Sequence, residues 1–121
     1  MTIIDTLLAE LTQEAVATRR SLERVPTDTY EWRPHPTSRS LGELATHIAE
    51  LPGSIAAMAV KDRFDVAGIP QSQEVPSVSL AAALDESLAA AHATLAGLSD
   101  AQLGETWSMV AGGKVLWRCR A

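Results

Sequence analysis

The chain has 121 residues and a mass of 12.9 kDa, the size of one domain with one core, and residues 1–121 are read as that single unit. Hydrophobic residues make up 46% and charged residues 21%, a balance that excludes a disordered chain. Ten basic against fifteen acidic side chains leave a net charge of −5, with the basic ones scattered, so no nucleic-acid partner is expected.

The start, Met-Thr-Ile-Ile-Asp, lacks a cationic region followed by an apolar run, and no stretch is apolar for long enough to span a bilayer. A cytoplasmic protein with no membrane partner is the expectation. From Ile4, the residues Leu8, Leu11, Ala15, Thr18, Leu22 and Val25 recur in steps of four and three, which predicts a first helix over about 2 to 25 that Pro26 ends. Arg19 and Arg20 lie four and three residues before Glu23, with Glu14 on the same helix, and read as ordinary surface ion pairs.

Residues 26 to 39 hold three prolines and read as an extended connection with Trp32 as its large apolar anchor. Ser40 followed by Glu43 predicts a capping box at the start of a second helix over 40 to 60, with Leu41, Leu44, Ile48, Leu51 and Ile55 along its apolar face. Pro52 falls inside that pattern, where the helix either kinks or breaks and resumes. Lys61 to Ser79 reads as a long surface loop pinned by Phe64 and Ile69. Ser79 caps a third helix over 79 to 96, with the stripe Ala81, Leu84, Leu88, Ala91 and Leu95, before Gly97.

After Gly97 a short helical turn at Leu98 to Leu103 leads to two apolar segments flanking Gly112-Gly113, the pattern of a small hairpin. The predicted fold is therefore all-α, an up-and-down antiparallel helix bundle, either of four helices or of three helices and a C-terminal hairpin. Leu11, Leu44, Ile48, Leu84 and Leu88 are expected in its core. Three stripes leave one side of the bundle open, and Trp107 and Trp117 are expected either to cover it or to bury themselves against a second chain. The single cysteine, Cys119, has no internal disulfide partner and is given no role.

Residues 31 to 47, Glu-Trp-Arg-Pro-His-Pro-Thr-Ser-Arg-Ser-Leu-Gly-Glu-Leu-Ala-Thr-His, resemble the DinB/YfiT-like superfamily, in which a Trp-x-Pro loop precedes a helix that carries a metal-binding histidine. The likeness extends over the first helix, the Asp62 to Asp65 segment and the Gly-Gly-Lys stretch. It implies a four-helix bundle, commonly a homodimer. It also implies a divalent metal, zinc or nickel, held by a histidine on helix two and two ligands near the fourth helix, and in several members a small-molecule thiol substrate. His47 stands at that histidine's place. The sequence given closes with Trp117-Arg-Cys-Arg-Ala and no histidine, so the expectation is a bundle without its fourth helix and an implied site that is incomplete.

From the residues themselves, His47 is at the margin of the apolar face of its helix. It reads either as a ligand or as a half-buried imidazole held by a neighbour. Glu50, three residues on, and His92, on the rim of the third helix, are the candidate helpers; a solvated surface role is the plainer account of both. His35, between two prolines, is expected to face water. Two functions compete: a divalent-metal-dependent enzyme (S-transferase, isomerase or hydrolase) with His47 as ligand, and a non-catalytic, truncated member that forms a dimeric helical bundle. The second is preferred, because one imidazole with two doubtful helpers falls short of a three-ligand site.

Overall fold

The computed structural model describes residues 1–69 and 78–119. Helix α1 (Ile3–Glu23) starts at Thr2, whose hydroxyl accepts the Asp5 N–H at 3.0 Å while the Asp5 carboxylate accepts the Thr2 N–H at 2.9 Å. The two remaining free donors of the first turn, Ile3 N and Ile4 N, go to the carboxylate of Asp100 at 3.0 and 3.2 Å. Helix α2 (Leu41–Ala59) starts on the predicted box, with Glu43 N donating to the Ser40 hydroxyl at 3.1 Å and Ser40 N to the Glu43 carboxylate at 3.2 Å. It runs on through Pro52 as one continuous helix. Helix α3 (Leu80–Ala96) is capped by Ser79 and stops at Gly97, and α4 (Asp100–Leu103) is the expected single turn.

Helices α2 and α3 run in the same direction, and here the antiparallel expectation fails. The first halves of both helices share one core, built from Ala45 and Ala49 of α2, Leu80, Ala83 and Leu84 of α3 and Leu22 of α1. Midway, Gly53 N donates to the Ser87 hydroxyl at 2.9 Å. Helix α1 runs opposite to α3: Arg19 pairs with Asp85, whereas Thr12 meets His92 further along α3. Short loops force neighbours to be antiparallel, but 20 residues separate Ala59 from Leu80. That length easily spans the roughly 28 Å back along α2 at 1.5 Å per residue.

The helices are accompanied by a small sheet, so the all-α expectation holds only for the larger part of the chain. Strand β1 (Arg63–Asp65) pairs parallel with β2 (Trp107–Ala111), which pairs antiparallel with β3 (Lys114–Cys119). The hairpin is the predicted one, and Gly112 and Gly113 adopt φ of 54° and 92°, as the tight turn requires. Strand β1 and the 3-10 turn Val66–Gly68 stand in the first part of the segment read as a loop; the rest of that loop, residues 70–77, lies outside the described residues. Asp65 fastens the two regions together, accepting Ala67 N at 2.9 Å and Gly112 N at 3.3 Å.

Burial on α2 is the reverse of the expectation. Its small residues Gly42, Ala45, Thr46, Ala49 and Ala56 are buried, whereas Leu44 is 46% exposed, Ile48 39% and Ile55 53%. Leu84 is fully buried, and Leu11 and Leu88 are half-buried. The reason is close packing: Ala45, Ala49 and Gly53 pass against Ala83 and Ser87, and large side chains at those positions would hold the parallel pair apart. Leu44, Ile48 and Ile55 are thus left on the exposed side of α2, and α1 touches α2 little. Trp32 is also exposed rather than an anchor; its backbone does the anchoring, its carbonyl accepting Leu41 N at 2.9 Å.

Candidate functional site

His47 lies on α2, half-buried, at the edge of the open apolar face that Leu44, Ile48 and Leu51 form. Glu50 is one helical turn on and lines a shallow hollow of about 300 Å³ between α2 and α3, together with Ser54, Glu86 and Ser87. His92 is elsewhere. Its Nε2 stands 3.2 Å from the Thr12 hydroxyl, at the contact of α1 with α3.

The parallel arrangement separates the two histidines. Gly53 lies opposite Ser87, an offset of 34 residues, which puts His47 level with Ala81. His92 is eleven residues beyond Ala81, about 16 Å along the helix. His35 is in the exposed loop, where its Nδ1 accepts the Thr37 N–H at 3.2 Å. Among the described residues, no three His, Cys, Asp or Glu side chains come together in a way that could hold a metal ion. The donors among the described residues therefore do not make up the three-ligand centre that the resemblance implies.

The carboxylates with displaced titration are structural. The Glu43 carboxyl is held below its ordinary value first by the Arg33 side chain, at 2.8 Å, and then by the Ser40 N–H. Arg33 also donates to the Ser38 carbonyl at 2.6 Å, so one guanidinium ties the preceding loop to the start of α2. The Asp5 carboxyl is lowered by the Thr2 backbone and hydroxyl. Arg19 takes Asp85 of α3 rather than Glu23 or Glu14, since it lies on the side of α1 that faces α3.

The family model of the DinB superfamily matches residues 10–116, from the second turn of α1 to the middle of β3. The chain belongs to the DinB superfamily. No curated protein and no solved structure gives a match. In this DinB-superfamily chain the matched segment contains His47, α2, α3 and the hairpin.

A larger cleft, about 860 Å³, opens where the last turn of α2 meets α4 and the sheet. Trp107 closes one wall, its Nε1 donating to the Met58 carbonyl of α2 at 3.2 Å, and packs edge-on to Trp117 with ring centroids 6.1 Å apart. Cys119 lies on the same wall. The two tryptophans have the packing role that their sequence predicts, and beside them stands Cys119, for which the sequence alone offers no role. The available signal was strand alternation, which puts 107 and 109 on one face of β2 and 117 and 119 on the matching face of β3. No helix among the described residues is long and apolar enough to cross a membrane.

Proposed function

We propose that this DinB-superfamily chain is a non-catalytic helical module that works in the cytoplasm as a homodimer, joined along the open side of α1 and α2. The observation that carries the reading is the exposed aliphatic strip of α2, Leu44, Ile48 and Ile55, with Leu7 of α1 exposed as well. From Leu44 to Ile55 the strip runs about 16 Å along the helix. Isolated exposed leucines need no explanation, but a row at helical spacing, beside a neighbouring helix that scarcely touches it, is a face built for cover.

A second copy is the occupant with a matching surface, because a twofold axis lays the same strip against itself and each chain covers the other. The non-catalytic part rests on the separation of His47 from His92 and on the absence of a three-donor group among the described residues. Light scattering tests the proposal. A mass near twice 12.9 kDa is expected, falling to the single-chain value in a Leu44→Glu, Ile48→Glu double variant. A single-chain mass at all concentrations overturns it, as does a dimer that the double variant leaves intact.

A further inference from the structure

The cleft between α2, α4 and the sheet is lined neither by His47 nor by Leu44 or Ile48; of the exposed strip on α2 only Ile55, at its far end, reaches it. Its volume of about 860 Å³ lies within the range of small-molecule sites, roughly 300–1,000 Å³. Ile55 and Met58 of α2, Leu103 of α4, Trp107 and Met109 of β2 and Leu98 of the loop before α4 all reach it, and this is how a site is assembled that no one segment encodes.

The charge at its rim is balanced, with Lys61 and Arg63 against Asp62 and Glu105. Neither an anionic nor a cationic ligand gains from that set. The polar backbone nearest the apolar wall is already engaged: the Met58 carbonyl accepts both the Trp107 indole N–H and Lys61 N, each at 3.2 Å. An apolar body placed there leaves few backbone groups stripped of water, which is the usual cost of filling a mixed surface. We infer that the cleft binds an uncharged, mainly apolar organic molecule containing an aromatic ring system, seated against Trp107 and the last turn of α2.

The probe that fits this chemistry is N-phenyl-1-naphthylamine, a neutral two-part aromatic whose emission rises on leaving water. Saturable binding of one probe per chain is expected, with the anionic analogue anilinonaphthalene sulfonate weaker. Ala59→Trp, at an exposed helix position on the cleft, fills the space and is expected to weaken binding by about tenfold or more, whereas Leu44→Glu on the open strip leaves it unchanged. Cys119 gives an independent readout in the unaltered protein, since saturating probe should slow its alkylation by iodoacetamide severalfold. Unsaturable binding, or tight binding by a folded Ala59→Trp variant, overturns the proposal. So does loss of binding in Leu44→Glu, which puts the probe on the helix strip. If Ala59→Trp does not fold, the alkylation rate decides, and a rate indifferent to probe overturns the site. The dimer is tested at Leu44 and Ile48, which lie outside the cleft, so its failure and the failure of the cleft are read separately.

Discussion

Gly53 donates its backbone N–H to the Ser87 hydroxyl at 2.9 Å, a bond between two helices that a side chain on α2 at that point would crowd. A methyl group built on Gly53 would stand 3.2 Å from both the Ser87 carbonyl oxygen and its hydroxyl. The parallel α2–α3 pair is held at this distance by a row of small residues, and the large residues of α2 face the other way in consequence. Gly53→Val is therefore expected to destabilise the fold by about 1–3 kcal/mol, the usual cost of overpacking a tight contact. Urea unfolding followed by circular dichroism measures it. A variant as stable as the parent would mean that the two helices are not in close contact there.

The start of α1 depends on the far end of the chain. Asp100, the first residue of α4, accepts Ile3 N and Ile4 N, while the Thr2 and Asp5 box takes care of the next donor. Replacement by alanine leaves two helix-terminal N–H groups without this acceptor and removes a negative charge from the positive end of the helix dipole. Asp100→Ala should cost about 1–2 kcal/mol, as loss of an N-cap does, with Asp100→Asn recovering part of it. Equal stability of Asp100→Ala and the parent in denaturant titration would contradict this.

Acid should weaken the chain through Glu43 and Asp5, whose carboxyls are both held below their ordinary values in the folded state. A lowered carboxyl contributes stability above its unfolded pKa, and that contribution disappears as pH falls through the folded value. Stability should therefore be flat from neutrality down to the ordinary carboxylate range and decline below it. In Glu43→Gln the decline should be shallower, because the Arg33 and Ser40 contacts no longer depend on a charge. Thermal melts between pH 7 and 3 measure it, and parallel curves for parent and variant would remove Glu43 from the account.

What was legible in the sequence was local. The caps at Ser40 and Ser79, the stop at Gly97 and the Gly112-Gly113 turn each depend on residues within a few positions, and each stands where the sequence placed it within a residue or two. The directions of the helices were not legible, because the 20-residue connection permits either sense and carries no periodic signal of its own. Nor was β1: three residues, Arg63-Phe64-Asp65, are too short for an alternating pattern, and they become a strand through pairing with residues some 45 positions away. The stripe of α2 is apolar, as its spacing predicts, but Leu44, Ile48 and Ile55 along it are exposed and Leu41 and Leu51 only half-buried. Hydrophobicity says what a face needs, and the small residues alongside it decide what the neighbouring helix takes.

His47 stands where the resemblance places a metal ligand, and its setting allows a sharp test. A structural zinc centre takes four ligands and a catalytic one three with an open position, and affinity drops steeply as ligands are removed. Here Glu50 is one turn from His47, while His92 is placed against Thr12 on another helix contact, about 16 Å further along. Among the described residues no group of three donors forms around His47, and an ion held by fewer than three protein ligands stays mostly hydrated. Calorimetric titration with zinc or nickel should therefore give a dissociation constant weaker than about a micromolar, changed little by His47→Ala. A tighter constant that His47→Ala abolishes would mean that further donors reach His47, and the mass at which the metal binds would say whether a second chain supplies them. The same strip, Leu44 and Ile48, that lies beside His47 is the proposed dimer face, so Leu44→Glu with Ile48→Glu would then have to lower metal affinity and dimer mass together.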